Sequence, residues 1–383
     1  MPKTRLVTGS LPTQLVGPHT DAVDYAVIVP DAGGGRDGSP LPLLLNLHGA
    51  GGSCEQLKLE HEAGVWDARF ASGLLPPVVV AMISAEVSMY LDYWDGSQRW
   101  ETFLRTEFIP FVEREFGCGG SASRRMAIGV SMGGFGVLKH CFRQPQDWGA
   151  VAACEPAIDA AIDAADITMR SPKRANEADP ANTPEQARQT QVPGKFGPGS
   201  EVAGFDAAFY RQNNPVAMAR DSGDAIRSSG LKICLEVGDH DFLMLHDGCE
   251  LLHRILWDEQ IEHQYFLHHG VDHVGPGMDW RMDQLCQWLG RMYRDYLALT
   301  EEEWAATHGP ATDDEVEWLN WAFEEGGEGP MRGTPVDMGG PRAGVAVRAA
   351  GQSPPVRAAF GEATDGPAEL LGFRWRGSGG GKL

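Results

Sequence analysis

Residues 126–138 read Met-Ala-Ile-Gly-Val-Ser-Met-Gly-Gly-Phe-Gly-Val-Leu, and this stretch decides the fold. Its first half is a short apolar run that predicts a buried strand, and its second half continues as a helix-forming run. Between them lies Gly129-Val-Ser131-Met-Gly133, a G-x-S-x-G turn whose glycines let the chain pass sharply from strand to helix. Such a turn presents the serine hydroxyl at the carboxyl edge of a sheet and aims the helix N-terminus at the same place. Ser131 is therefore predicted to be a nucleophile; the plain alternative is an ordinary glycine-rich turn.

Short apolar runs without polar alternation recur on both sides of this turn. Such runs predict strands that are buried on both faces, and the segments between them have helical patterns. Strands in alternation with helices form a largely parallel sheet flanked by helices, so the predicted fold class is α/β. The predicted strands cover residues 25–29, 43–47, 78–83, 126–130, 151–154, 233–237 and 264–267, and the predicted helices include 100–116, 134–143, 245–259 and 282–299.

The predicted catalytic domain covers residues 1–300 and carries an insertion at about 156–227. In the insertion the alternation of strand and helix stops and the chain turns polar, which predicts a cap or lid; a solvated insertion is the alternative. A capping-box pattern followed by an apolar helical face predicts a docked helical segment over 301–325. Residues 326–383 are rich in Gly, Pro and Ala, and we expect a disordered tail because so few large apolar residues cannot offset the entropy of ordering.

Charge and cysteine content narrow the class of protein. The formal net charge of -21 and the pI near 4.9 argue against nucleic acid or an anionic membrane as partner, since such surfaces need clustered Lys and Arg. The seven cysteines are spread along the chain without a C-x-x-C pair, which favours a reducing compartment. No apolar run is long enough for a signal sequence or a membrane span, so a cytoplasmic protein is expected.

A second glycine-rich loop, His48-Gly-Ala-Gly-Gly, follows the predicted strand at 43–47. Backbone N–H groups in such a loop can join the N–H of Met132 to bind an oxyanion, and Ala50 is the predicted second donor. Gly49 and Gly51 are expected to border the substrate, because a missing side chain lets it approach. A tight turn without a ligand is the alternative, and His48 is expected to support the loop rather than to act as a base.

A serine is a poor nucleophile without a base, and the base needs an acid that orients it. Both are expected in loops at the ends of strands that come after the serine. Asp241 follows the strand at 233–237 and is the predicted acid, with Asp239 as its competitor. His273 follows the next predicted strand and is the predicted base.

Other candidate roles in this region are weaker. Glu155 ends its predicted strand beside the expected pocket, so it is predicted to contact substrate, with a salt bridge that anchors the lid as the alternative. Histidines and aspartates cluster between residues 239 and 273, but they lack the H-E-x-x-H spacing and paired cysteines of zinc sites. We therefore predict no metal and no cofactor.

These residues resemble the esterase D branch of the α/β-hydrolases, which includes S-formylglutathione hydrolases and feruloyl and acetyl-type esterases. The resemblance spans about residues 25–299 and implies the α/β-hydrolase fold and an acyl-serine mechanism without a cofactor. The glycine loop reads Ala-Gly-Gly where S-formylglutathione hydrolases carry Leu-Thr-Cys, which argues against a glutathione thioester as substrate. The residues that carry the resemblance are the loop after His48, the segment Trp94-Asp95-Gly96 with Trp100-Glu101-Thr-Phe103, the serine turn, Gly238-x-x-Asp241 and Gly270-x-x-His273.

The expected function is hydrolysis of a carboxylic ester or thioester of a small soluble molecule. Two other functions fit the same residues. An acyltransferase would differ only in letting an alcohol or amine reach the acyl-enzyme before water, and a non-catalytic binding protein would use the fold as a scaffold.

Overall fold

The computed structural model describes residues 4–17, 21–31, 40–167, 195–198, 204–273, 275, 277–297, 331–336 and 344–349. Its main feature is an eight-stranded sheet with the strand order β1-β2-β4-β3-β5-β6-β7-β8. The six strands from β3 to β8 are mutually parallel, and β2 is antiparallel to both of its neighbours. These strands are β1 (Thr4–Pro12), β2 (Ala22–Pro30), β3 (Leu43–Leu47), β4 (Val79–Ile83), β5 (Arg125–Val130), β6 (Ala150–Cys154), β7 (Lys232–Gly238) and β8 (His263–His268).

Helices cover both faces of this sheet. Successive strand residues point to opposite faces, so Leu44 packs in one core cluster with Leu285, and Leu45 packs in the other with Val137. The first cluster lies under α1, α2 and α10, and the second under α3 to α9. The helices are α1 (Glu55–Glu62), α2 (Val65–Ala71), α3 (Trp100–Phe103), α4 (Ile109–Phe116), α5 (Met132–Arg143), α6 (Ala207–Asn213), α7 (Pro215–Asp221), α8 (Gly223–Ser229), α9 (Leu245–Asp258) and α10 (Met278–Leu297), with a π-helical turn (Leu104–Phe108) between α3 and α4.

The predicted α/β class and its parallel sheet are confirmed, and all seven predicted strands are present. Within the eight-stranded sheet, the strand that was not predicted is β1. It pairs only with β2 at the edge of the sheet, and its side chains alternate between half-buried and exposed. A strand that buries so little surface needs no apolar run, so the pattern that revealed the central strands is missing there.

Part of the predicted lid belongs to the core. Within the insertion, α7 is almost wholly buried, and Val216 and Ala219 are in the same core cluster as Leu138 of α5 and Leu252 of α9. The side chain of Asn214 caps α7 by accepting the N–H of Val216, and Pro215 occupies its first turn. This helix is only seven residues long, so its apolar face is too short to stand out from the polar sequence around it. Residues 168–194 and 199–203 of the predicted lid lie outside the described residues.

The C-terminal unit, Gly309–Leu383, is distinct from the unit that contains the sheet. Its described residues are two antiparallel strands, β9 (Met331–Val336) and β10 (Gly344–Ala349), with Gly344 opposite Val336. They lie in the stretch predicted to be a disordered tail, and the rest of that stretch and the helical segment predicted at 301–325 lie outside the described residues. Every described helix is too short or too polar to cross a membrane.

Candidate active site

Ser131 occupies a strained turn between β5 and α5. Its φ is 55° and its ψ is -115°, in a region that a residue with a side chain seldom adopts. A Cβ atom at Gly129 would lie 2.3 Å from the carbonyl oxygen of Gly133, and one at Gly133 would lie 1.9 Å from the carbonyl oxygen of Leu47. Both glycines are therefore required, because the start of α5 packs directly against the ends of β3 and β5.

The turn places Ser131 against His273, 142 residues further along the chain. His273 Nε2 lies 3.1 Å from Ser131 Oγ, and His273 Nδ1 lies 2.8 Å from Asp241 Oδ2. Because a carboxylate only accepts, Nδ1 carries the proton and Nε2 is left to accept the serine O–H. These contacts are buried, since Ser131 is 8% exposed and Asp241 is 1% exposed. The structure thus brings together the three side chains predicted as nucleophile, base and acid.

Asp272 joins the loops that carry Asp241 and His273. Its Oδ1 accepts the backbone N–H of Phe242 at 2.9 Å and that of His273 at 2.7 Å. Asp241 Oδ1 accepts the N–H of Leu243 at 2.8 Å, and the Phe242 ring packs edge-on against the imidazole of His273. Asp272 was not among the predicted site residues, although it directly precedes the predicted base in the sequence.

Asp239, the competitor for the acid role, lies elsewhere. Its Oδ1 accepts the N–H of Gly270 at 2.8 Å, and its Oδ2 is 2.9 Å from His269 Nδ1. These contacts tie the end of β7 to the loop that precedes His273. Asp239 therefore supports the loop, and Asp241 is the aspartate in contact with the imidazole.

His48 supports the glycine-rich loop after β3, as expected. Its Nδ1 donates to the carbonyl oxygen of Gly49 at 2.7 Å, and its Nε2 accepts the N–H of Ala85 at 3.0 Å. Burial lowers the pKa of His48, although the bond to Gly49 opposes the shift, so the ring is neutral and has one donor and one acceptor. The Tyr90 hydroxyl donates to the carbonyl oxygen of His48 at 3.1 Å and holds the same segment.

This loop lies beside Ser131. A Cβ atom at Gly49 would lie 3.5 Å from Ser131 Cβ, which places Gly49 in contact with the serine. Ala50 and Gly51 follow and are exposed, and Gly51 has a φ of 78° that favours glycine. Met132 is the first residue of α5, so its N–H has no partner within the helix. The roles of Ala50 and Met132 as oxyanion donors, and of Gly49 and Gly51 as substrate contacts, stay predictions.

Glu155 lies elsewhere than the sequence analysis expected. Its side chain is fully buried, and Oε2 accepts from Arg281 Nη2 at 2.7 Å, while Oε1 is 3.7 Å from His273 Nδ1. A carboxylate behind the imidazole, bound to α10, is not placed to contact an incoming substrate. The structure agrees better with the alternative, a salt bridge, but the partner of Glu155 is Arg281 of α10 rather than a residue of the lid.

Charge sets the proton affinity of this site. Burial lowers the pKa of His273, but the hydrogen bond and charge of Asp241 outweigh it with help from Glu155, so the pKa of His273 lies above its ordinary value. Burial raises the pKa of Glu155 to about 7, although the charges of His273 and Arg281 oppose the shift.

Glu155, Asp241 and His273 also have the spacing of a metal site, because each offers one atom that could ligate a metal and these three atoms lie within 4.8 Å of one another. Two of these groups have partners that a cation would disturb, because His273 Nδ1 donates to Asp241 and Glu155 Oε2 is paired with the buried guanidinium of Arg281. A cation there would have to displace or repel that guanidinium, so the cluster is better suited to orienting the imidazole than to binding a metal.

The family model described as "Putative esterase" matches residues 24–294. No curated protein matches the chain. Among solved structures, a ferulic acid esterase has a TM-score of 0.56 at 19% identity, over 76% of this chain and 100% of that one. The fluorophosphonate-binding serine hydrolase F of Staphylococcus aureus has a TM-score of 0.55 at 17% identity, over 76% and 99%. An S-formylglutathione hydrolase from Agrobacterium tumefaciens has a TM-score of 0.52 at 17% identity, over 77% and 96%. At these identities the structural similarity establishes a shared fold.

Proposed function

The chain belongs to the esterase family, and we propose that it hydrolyses carboxylic esters or thioesters of small molecules through an acyl-serine intermediate on Ser131. The observation that carries this proposal is the continuous hydrogen-bonded relay from Ser131 Oγ through His273 to Asp241, with distances of 3.1 Å and 2.8 Å. A relay in which the carboxylate holds the imidazole and the imidazole accepts the serine O–H is the arrangement that activates a serine at neutral pH.

The proposed reaction has two halves. Ser131 Oγ attacks the carbonyl carbon while His273 Nε2 takes the hydroxyl proton, and the N–H groups of Met132 and Ala50 bind the developing oxyanion. The imidazolium then protonates the leaving alcohol or thiol, which departs and leaves the acyl-serine. In the second half His273 deprotonates a water molecule, which attacks the acyl group, and the serine regains its proton as the acid product leaves.

The insertion at about 156–227 is proposed to border the substrate entrance. Its first residues contact the nucleophile, since the N–H of Ala157 donates to the carbonyl oxygen of Ser131 at 2.9 Å. Within the glycine loop, the Ala-Gly-Gly run argues against glutathione thioesters, so small neutral esters are the preferred class. A cytoplasmic location is part of the proposal, because all seven cysteines are buried and free.

The proposal is tested by a panel of aryl esters of increasing acyl length, together with labelling by a fluorophosphonate. We expect hydrolysis of the shorter esters and a single covalent label on the peptide that contains Ser131. Product analysis with an added alcohol separates hydrolysis from acyl transfer. A chain that takes no label and cleaves no ester of the panel would contradict the proposal and favour a binding scaffold.

Hydrolysis is expected to rise with pH. A general base works only when it is deprotonated, and the pKa of His273 lies above its ordinary value, so kcat/KM falls as the pH drops through that pKa. The measurement is kcat/KM for one aryl ester between about pH 5 and 9, where histidine titrates. A profile that stays level or falls with rising pH would exclude His273 as the base.

A further inference from the structure

A buried charge cluster lies behind the imidazole of His273. Arg281 of α10 is 1% exposed and binds two fully buried glutamates, one from the end of β6 and one from β7. Arg281 Nε donates to Glu236 Oε1 at 2.7 Å, and Arg281 Nη2 donates to Glu155 Oε2 at 2.7 Å and to Glu236 Oε2 at 3.0 Å. With Asp241 the cluster holds three carboxylates for one guanidinium, so it is not built for charge balance alone.

The two oxygens of Glu155 have different surroundings. Oε2 is held by Arg281, whereas Oε1 is buried and accepts no hydrogen bond from any of the residues that the structure describes. A buried oxygen without a donor is costly and calls for an explanation. His273 Nδ1, which carries a proton, lies 3.7 Å from this oxygen. The N···O distance between His273 Nδ1 and Glu155 Oε1 is therefore less than 1 Å longer than a hydrogen bond. This Nδ1–H group is the one that donates a hydrogen bond to Asp241.

Two neighbouring strands deliver the two carboxylates. Asp241 follows β7 and Glu155 follows β6, and these strands pair in parallel, with Cys154 opposite Glu236. Glu155 has a φ of 39°, a strained value for a residue with a side chain, and its N–H donates to the carbonyl oxygen of Glu236. In the part of the chain that the structure describes, two carboxylates thus lie within 4 Å of His273 Nδ1, and each follows one of these two strands.

We propose that Glu155 is a second acid that orients His273. It is a positioning residue that Arg281 holds in place, and it accepts the hydrogen bond from His273 Nδ1–H when Asp241 does not. The proton stays on Nδ1 throughout, and only its acceptor changes. This inference rests on the proposed function and adds a residue to it.

Charge favours this exchange. The negative charge of Asp241 is one of the causes that keep the pKa of Glu155 raised, after burial itself. When Asp241 is removed, Glu155 ionises more readily and its free oxygen becomes a better acceptor. Arg281 limits the movement, because it keeps the carboxylate beside the imidazole.

The experiment compares Asp241→Ala, Glu155→Gln and the double variant by kcat/KM for an aryl ester. Loss of the acid in comparable triads costs about 10⁴-fold. We expect Asp241→Ala to lower kcat/KM by only about 10²-fold. Adding Glu155→Gln is expected to lower kcat/KM by about 10²-fold more, so the double variant shows the full loss of about 10⁴-fold. In the presence of Asp241, Glu155→Gln is expected to lose no more than about five-fold.

The matched control is Glu236→Gln, which removes the same charge from the other side of Arg281 but not from the side that faces His273. It is expected to lower kcat/KM by the same factor with and without Asp241. Glu155→Asp keeps the charge yet draws it back by one methylene, so in the Asp241→Ala background it should behave like Glu155→Gln. This second variant keeps the test open if Glu155→Gln folds poorly.

A readout independent of turnover is the NMR signal of the hydrogen-bonded His273 Nδ1 proton. We expect it to persist in Asp241→Ala and to vanish in the double variant. Suppose that wild type cleaves esters but Glu155→Gln causes the same small loss of kcat/KM with and without Asp241. The second-acid role is then wrong, and it is also wrong if Glu236→Gln causes the same losses as Glu155→Gln. If wild type neither cleaves esters nor takes a fluorophosphonate label, the proposed function fails, and the NMR signal still decides which carboxylate holds the imidazole.

Discussion

Replacement of Ser131 with alanine is expected to lower kcat/KM for ester hydrolysis by about 10⁵-fold or more, close to the rate of the reaction without a nucleophile. In the proposed mechanism the hydroxyl is the group of the relay that forms a bond to the substrate, and the strained turn fixes its position. Neither the fold nor the loop after β3 depends on Oγ, whose described contact is with His273 Nε2. The measurement is steady-state hydrolysis, with thermal unfolding as a check on folding.

Two controls accompany that variant. His273→Ala is expected to lose activity to a similar extent, and the double variant no more than either, because members of a triad act as a unit. Ser121→Ala removes an exposed hydroxyl just before the opposite end of β5 and should leave hydrolysis and labelling intact. Ser131→Ala with hydrolysis above about a hundredth of the wild-type rate would mean that another residue is the nucleophile.

The second large effect is expected from Arg281→Met, which removes the cation from a cluster with three buried carboxylates. Loss of one partner from a buried ion pair costs about 3–5 kcal/mol, because the remaining charge stays buried without compensation. Methionine fills a similar volume, so the loss reports charge rather than a cavity. The measurement is the free energy of unfolding from urea titration.

The loss from Arg281→Met should depend on pH. In wild type the pKa of Glu155 is about 7, above the value of about 4.3 for an unfolded glutamate, so its ionisation already opposes folding as the pH rises. Without Arg281 that pKa rises further. The variant should therefore be closest to wild type near pH 5 and furthest from it above about pH 7.

Arg125→Met is the matched control, since Arg125 makes a two-pronged pair with Glu113 in which both side chains are partly exposed. That variant should lose about 1 kcal/mol or less, with little change between pH 5 and 7, because solvent screens the remaining charge. Equal losses in the two variants, or a loss in Arg281→Met that does not vary with pH, would contradict the charge argument.

Much of the fold could be predicted because its central strands are buried on both faces and read as plain apolar runs. The same test failed for β1, which lies at the edge with one row of half-buried side chains, and for α7, whose apolar face is a single short stretch inside a polar segment. In both cases burial comes from the neighbours that the element meets, and those neighbours are distant in sequence.

Within the candidate site, local sequence identified groups whose position depends on one strand end and one loop. Ser131 follows from its glycines, and Asp241 and His273 follow from their places after β7 and β8. Glu155 was predicted to lie at the site, but its buried surroundings were not predicted. The last predicted helix begins just after Arg281, so no role was predicted for the Arg281 guanidinium.

The sequence by itself determined the parallel sheet, the serine turn and the loops that bring an acid and an imidazole to its carboxyl edge, because each of these is encoded by contiguous residues with their own burial pattern or backbone constraint. Only the tertiary structure decided that Arg281 of α10 docks between Glu155 and Glu236, 126 and 45 residues away, and leaves one glutamate oxygen facing His273. The physical reason is that a buried ion pair is defined by the register of β6 and β7 and by the docking of a distant helix, neither of which leaves a periodic signal in the chain.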